Sequence, residues 1–260
     1  MKPKMIFFDI DGTLLSEKTG KIPDSAIEAI RIARENGHFI FINTGRCYSF
    51  LPKEILELDV DGYVCGCGTN VFCHGEELLH ISRTMDFARS LRKDMKAWNI
   101  ETIYEGKYTA YMEDLEELRF PDFRYFRTQK EFKVASVEQM EYPIDKMYVC
   151  TDETSDFASF EKKYKDVFEI IDRENRHYEI IPLGYSKSTG IQLLMDKFCV
   201  DLEDTISVGD SNNDLAMLEY TGVSIAMGNS SPQILNRVDY VTSDVDEDGI
   251  YQALKHYALI

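Results

Sequence analysis

The stretch Met5-Ile6-Phe7-Phe8-Asp9-Ile10-Asp11-Gly12-Thr13 decides how the chain reads. Four apolar residues in succession, without polar alternation and closed by a turn signal, predict a strand buried on both faces. A polar loop carrying two carboxylates follows it at once. The pattern recurs along the chain: Phe39-Ile40-Phe41-Ile42 runs into Asn43-Thr44-Gly45-Arg46, and Thr205-Ile206-Ser207-Val208 runs into Gly209-Asp210-Ser211-Asn212-Asn213-Asp214. Helical patterns separate and follow these strands. One starts near Pro23-Asp24-Ser25, carries Ile27, Ile30 and Ala33 and stops at Asn36-Gly37; others cover 188–198, 214–220 and 250–258. Short strands are expected at Val223-Ser224-Ile225-Ala226 and from Val241. The fold class this predicts is α/β, with a doubly wound, Rossmann-like parallel sheet covered by helices.

From about Ile81 to Pro182 the texture changes, with more aromatic and charged residues and with strands such as Lys146 to Thr151 and Val167 to Ile171. This middle part reads as an α+β cap domain, 82–182, inserted into a core domain made of 1–81 and 183–260. With 260 residues, 44% hydrophobic and 29% charged, the chain has the composition of a globular protein with room for two domains.

A formal charge of -17, from 46 acidic and 29 basic residues, sets a repulsive far field against a polyanion, so nucleic acid is not expected as a partner. A small phosphorylated substrate is still compatible, because one metal ion, a few backbone N–H groups and a cation act locally. No apolar run approaches the roughly 18 residues of a membrane span, and no signal-peptide pattern is present, so a cytoplasmic protein without a membrane partner is expected. The six cysteines lack paired C-x-x-C spacing. Cys65, Cys67, Cys73 and His74 are metal-ligand types, yet small residues at a strand end account for the first two beside Gly66 and Gly68.

Open parallel sheets bind ligands beyond the carboxyl ends of their strands, so the residues after each strand are the candidate site. Asp9 and Asp11 would repel one another there, and packing gives no reason for the pair. A divalent cation resolves the conflict. Hard oxygens from Asp9, Asp210 and the Asp11 carbonyl suit Mg2+. The plainer account of Asp-Gly-Thr is an Asx-capped turn. Thr44 and Gly45 offer a hydroxyl and an unhindered N–H to a phosphate oxygen, and Lys187 supplies a compact cation. In the third loop Asp210 would face the metal, while Asn213 and Asp214 cap the following helix and orient the metal ligands.

Asp9-x-Asp11-Gly12-Thr13, Thr44-Gly45-Arg46, Lys187 and Gly209-Asp210-x-x-Asn213-Asp214, in that order, resemble the motifs of haloacid dehalogenase superfamily phosphatases. An insert between the second and third motifs makes the chain most similar to the Cof-type branch with the larger α/β (C2-type) cap. The resemblance implies a Mg2+-dependent phosphomonoester hydrolase acting on sugar phosphates or phosphorylated cofactors. It further implies that Asp9 is the nucleophile of an aspartyl-phosphate intermediate and Asp11 the general acid and base. In the same pattern the Ile10 N–H, Thr44, Gly45 and Lys187 hold phosphoryl oxygens, and Asn213 touches phosphate or supports Lys187. Arg46 either contacts substrate or braces its loop. The resemblance also implies a cap that closes over the site and selects the leaving group, with contacts sought in 100–112 and 178–185. Cys67-Gly68 departs from the Asn-Gly pair of many members. A phosphomutase of the phosphomannomutase type and a non-catalytic phosphometabolite binder are the alternatives, and a monomer or homodimer is expected.

Overall fold

The structure, a computed structural model, describes residues 2–129 and 132–260. Its strands in chain order begin with β1 (Met5–Phe8), β2 (Phe39–Asn43), β3 (Gly62–Cys65), β4 (Asn70–Cys73), β5 (Glu76–His80), β6 (Glu101–Glu105) and β7 (Ala110–Met112). They continue with β8 (Val134–Ser136), β9 (Lys146–Cys150), β10 (Phe168–Asp172), β11 (His177–Pro182), β12 (Thr205–Gly209), β13 (Val223–Ala226) and β14 (Tyr240–Val241).

Two compact units divide the chain. The core unit comprises the chain up to Gly45 together with Pro52–Leu78 and Ser186–Ile260. Its sheet has the order β14-β13-β12-β1-β2-β3-β4-β5, and every pairing from β14 through β3 is parallel. The mixed α/β class expected from the sequence is the one found. All four residues of β1 are buried between β12 and β2, and Phe7 stacks on Phe41 with ring centroids 5.5 Å apart. That placement sends the loop after β1 to the carboxyl edge of the sheet, flanked by the loops after β2 and β12.

The first helix, Asp24–Glu35, buries Ala26, Ala29, Ile30 and Ala33. The expected stripe through Ile27 is corrected: Ile27 is 43% exposed. The i, i+3, i+4, i+7 series that fits one helix face starts at Ala26, and Ile27 lies a quarter-turn away from it.

The insert unit comprises Leu79–Tyr185 and also Arg46–Leu51. Its sheet has the order β10-β11-β9-β6-β7-β8, antiparallel except for the parallel pair β7 and β8. One face carries Tyr104, Met147, Val149 and Ile180, packed with Leu91 and Met95 of helix Met85–Ala97 and with Phe160 and Tyr164 of helix Phe157–Tyr164. Among the residues of alternate register, Ile103 and Cys150 join a second cluster with Leu118, Phe123 and Phe50. Phe50 is the reason the segment 46–51 departs from the continuous 1–81 core expected from sequence. Its ring belongs to an apolar cluster of the insert.

Candidate active site

The loop after β1 is a tight turn. The Ile10 carbonyl accepts the N–H groups of Thr13, Leu14 and Leu15, while the Asp9 N–H donates to Val208 of β12 at 3.0 Å. Gly12 adopts φ +78, and a Cβ there would lie 2.5 Å from Asp210 Oδ2. Only glycine meets both demands without strain. The Thr13 hydroxyl donates to Asp210 Oδ1 at 2.7 Å, so the first and third loops are tied together by a side chain.

Lys187 is the first residue of helix Lys187–Phe198, whose start is fixed by a capping box between Ser186 and Thr189. Its side chain is buried and its Nζ donates to Asp9 Oδ1 at 2.6 Å and to Asp214 Oδ1 at 2.5 Å. Asn43 reaches the Lys187 carbonyl at 3.1 Å and so fixes this helix start to the end of β2. Asp214 spends its second oxygen on the N–H groups of Asp210 and Ser211, both at 2.9 Å. The predicted helix over 214–220 is therefore shorter and tighter than expected, a 3-10 turn Asn212–Asp214 followed by helix Leu215–Leu218. A carboxylate pinned to two preceding N–H groups holds the first turn tight.

Carboxylate oxygens of Asp9, Asp210 and Asp214 all lie within 4.8 Å of one another. Burial, then the Asp214 charge, pushes the Asp9 carboxyl up to about 7, against the opposing pull of Lys187; Asp11 is near enough to add to the rise. Asp210 is pushed up to about 8 by burial and by Asp214 and Asp9. Burial works against the Lys187 ammonium, but Asp214 and Asp9 outweigh it and hold the charge well above the usual lysine range. Three carboxylates thus face one ammonium, which leaves a deficit that a divalent cation fits. Asp214 has both oxygens engaged, whereas Asp9 Oδ2 and Asp210 Oδ2 take no hydrogen bond among the described residues. The missing Cβ of Gly12 lets the Asp210 carboxylate lie against this turn, and Asp210 Oδ2 is a hard oxygen that suits a divalent cation.

Of the residues singled out from sequence, the structure brings Asp9, Lys187, Asp210 and Asp214 into direct contact or close range, with Asp11 in electrostatic reach of Asp9. Thr44 is buried; its N–H donates to Val64 at 2.8 Å and its carbonyl accepts from Cys67 at 3.1 Å. Gly45 is the last core residue before the segment 46–51. Arg46 donates from Nη1 to the Phe50 carbonyl at 3.1 Å, a bond that braces its own segment. Asn213 accepts from the Ser211 hydroxyl at 2.7 Å. Cys67 takes φ 54 in a turn where a Cβ on Gly68 would lie 2.0 Å from the Ser186 carbonyl, so the turn abuts the start of the Lys187 helix.

The sequence reading passed over Asn229. Its amide donates to the Gly12 carbonyl at 2.7 Å and its oxygen accepts the Val245 N–H at 3.0 Å, clamping the Asp11–Gly12 turn from the far end of the chain. Its residue type in Met227-Gly228-Asn229-Ser230 reads as an ordinary turn, and no local pattern marks it.

A parallel sheet whose carboxyl edge gathers a lysine and three carboxylates fits a site of the phosphoryl-transfer type. The model of the haloacid dehalogenase-like hydrolases matches residues 6–254, and the chain belongs to that family. It is 26% identical over 269 residues to 5-amino-6-(5-phospho-D-ribitylamino)uracil phosphatase YitU of Bacillus subtilis (strain 168), covering 98% of each chain. Among solved structures, the subclass IIB sugar phosphatase BT4131 is 28% identical with a TM-score of 0.82, over 99% of this chain and 100% of that one. The phosphatase-family protein BT1666 from Bacteroides thetaiotaomicron is 25% identical with a TM-score of 0.84, over 99% of this chain and 96% of that one. The chain is a phosphoric monoester hydrolase of this family, and family phosphatases generally work with a divalent metal. Among the described residues no helix is long and apolar enough to cross a membrane.

Proposed function

We propose that this enzyme is a Mg2+-dependent phosphatase of small phosphorylated metabolites that works through an aspartyl-phosphate at Asp9, with Asp11 as general acid and base. The observation that carries the reading is the buried Asp9 carboxylate with one oxygen held by Lys187 and the other without a hydrogen bond among the described residues. A nucleophile needs that division: one oxygen oriented, the other available to phosphorus. When bound by Asp9, Asp210 and the Asp11 carbonyl, Mg2+ would neutralise charge on the phosphoryl oxygens.

In the first half-reaction Asp9 Oδ2 forms a bond to phosphorus as the bond to the leaving alcohol breaks, and Asp11 gives that alcohol its proton. In the second, Asp11 takes a proton from water as the water oxygen bonds to phosphorus, and the bond to Asp9 breaks to release phosphate. Lys187 stays paired with Asp9 and Asp214 and stabilises charge on the phosphoryl group. Thr44, Gly45 and the Ile10 N–H are the phosphate contacts, Asn213 supports the third loop, and Arg46 acts by bracing the segment after Gly45. The substrate we favour is a phosphorylated sugar or polyol chain, whose free alcohol is the leaving group, in keeping with the sugar and ribityl phosphates named for the relatives.

Phosphate release from an aryl phosphate and from a panel of sugar, polyol and cofactor phosphates, with Mg2+ or with chelator, tests the reading. Wild type should release phosphate only with the cation, and Asp9→Asn should release none. Equal turnover in chelator, or by Asp9→Asn, would overturn it.

A further inference from the structure

Within the core unit, three separate features set how deep the first turn of helix Lys187–Phe198 lies against the sheet. The Asn43 amide, at the carboxyl end of β2, donates from Nδ2 to the Lys187 carbonyl at 3.1 Å. Gly190, in that first turn, approaches β3 so closely that a Cβ there would lie 2.4 Å from Val64 Cγ1. Gly68, with φ +91, follows β3 where a Cβ would meet the Ser186 carbonyl at 2.0 Å.

Stability alone would select neither Asn43 nor Gly190. Asn43 is fully buried, and its Oδ1 takes no hydrogen bond among the described residues. A buried amide oxygen in that condition costs free energy that a leucine of similar size would not. The bond Asn43 does make is not one its acceptor lacks, because a helical carbonyl is already taken by the N–H four residues on, here that of Ile191. Glycine inside a helix is likewise less stable than alanine. Both residues give up stability at the same turn, and its first residue is Lys187.

That turn delivers one ammonium to two carboxylates. Lys187 Nζ lies 2.6 Å from Asp9 Oδ1 and 2.5 Å from Asp214 Oδ1, and the lysine side chain has no exposed surface. The two acids are fixed without the helix, Asp9 by its N–H on Val208 and Asp214 by the N–H groups of Asp210 and Ser211. Lys187 is therefore the member of the trio whose place the helix decides. Carbon atoms pack at about 3.5 Å or more, so a methyl on Gly190 would displace this turn or Val64 by roughly 1 Å. Ionic hydrogen bonds as short as these two do not survive such a shift unchanged.

We propose that Asn43 and Gly190 are positioning residues for Lys187: they hold the first turn of its helix at the depth where one ammonium reaches Asp9 and Asp214 together, and Gly68 leaves room for that turn. This rests on the role given to Lys187 above. Neither residue is placed on the phosphoryl group, and both act through the lysine.

The test combines steady-state turnover of an aryl phosphate with Mg2+, inhibition by orthovanadate and by inorganic phosphate, and urea unfolding. The proteins are wild type, Asn43→Leu, Gly190→Ala, the double variant Gly190→Ala/Val64→Ala, and Lys187→Met. Asn43→Leu should unfold at the wild-type urea midpoint or above it, while kcat falls about tenfold and KM holds. Vanadate, which takes the five-coordinate geometry of the transfer, should inhibit it more weakly by the same factor, and phosphate should inhibit it as it does wild type. Gly190→Ala should lose about 10–100-fold in kcat, and adding Val64→Ala, which removes the two methyls in the way, should recover most of it. A purely structural role would give the opposite division, with the midpoint lowered and kcat kept. Wild-type kcat and vanadate inhibition in Asn43→Leu would overturn the assignment of Asn43. A loss in Gly190→Ala that Val64→Ala does not relieve would overturn that of Gly190, and both results would leave the phosphatase reading intact. Wild-type turnover by Lys187→Met would overturn the role of Lys187 and the proposal with it.

Discussion

Stripping the divalent cation from this enzyme should make its stability fall as pH rises, and the carboxylate centre sets the size of the effect. Burial and Asp214 push the Asp9 carboxyl from 3.8 to about 7. A carboxyl whose folded-state pKa is raised binds its proton more tightly in the folded than in the unfolded protein. Its contribution to stability is therefore complete below about 4 and is lost as pH climbs through 7. Between pH 5 and 7 that amounts to ~2 units at ~1.36 kcal/mol each, or about 3 kcal/mol. Asp210, raised to about 8 by the same cluster, continues the decline past neutrality. Denaturant unfolding of wild type and Asp9→Asn in chelator, from pH 5 to 8, isolates the effect as the difference between the two curves. Wild type should lose stability relative to the variant as pH rises. Added Mg2+ should flatten the wild-type slope, since a cation that binds the ionised carboxylates stabilises the folded state at high pH. A wild-type curve in chelator that runs parallel to Asp9→Asn across this range would refute the reasoning.

Three further outcomes follow from single contacts. Gly12→Ala should raise the Mg2+ concentration for half-maximal activity by ~10–100-fold, because its Cβ would lie 2.5 Å from Asp210 Oδ2 and the left-handed backbone would add about 1–2 kcal/mol of strain; a Mg2+ titration of turnover measures this. Asn229→Ala should destabilise the core by about 1–3 kcal/mol and lower kcat, by leaving the Gly12 carbonyl and the Val245 N–H without their partner, as read by urea unfolding and steady-state kinetics. Lys146→Met should destabilise the insert by about 3–5 kcal/mol, because Glu179 at 2.7 Å and Glu105 at 3.3 Å lose their buried counter-charge; adding Glu179→Gln should recover part of the loss in the same unfolding assay.

The core strands were legible in the sequence because each is an apolar run buried on both faces, which leaves one interpretation open for Met5–Phe8, Phe39–Asn43 and Thr205–Gly209. Strand ends then pointed to Asp9 and Asp210, and the deficit of positive charge around them is visible in the motif itself. Lys187 could be marked only jointly with the other motifs, since a lysine at a helix start is usually solvated and its burial here depends on two carboxylates from distant loops. Asn229 stayed hidden for the same reason: its partner, the Gly12 carbonyl, is 217 residues away. The path of 46–51 was illegible because one phenylalanine, one hydroxyl and one backbone N–H seat it, and none of these has a period. Ile27 misled because a helix stripe can be drawn through it or through Ala26, and the burial of the small alanines selected the second.

The central claim is that Asp9 carries the phosphoryl group during turnover, and acid-quenched mass spectrometry of the first turnover tests it most directly. With Mg2+ and a rapidly hydrolysed phosphate ester, the peptide containing Asp9 should acquire one phosphoryl group within the first turnover and lose it as substrate is exhausted, and Asp9→Asn should never be labelled. Phosphate released at the wild-type rate with no label on that peptide, together with turnover surviving in Asp9→Asn, would contradict the account.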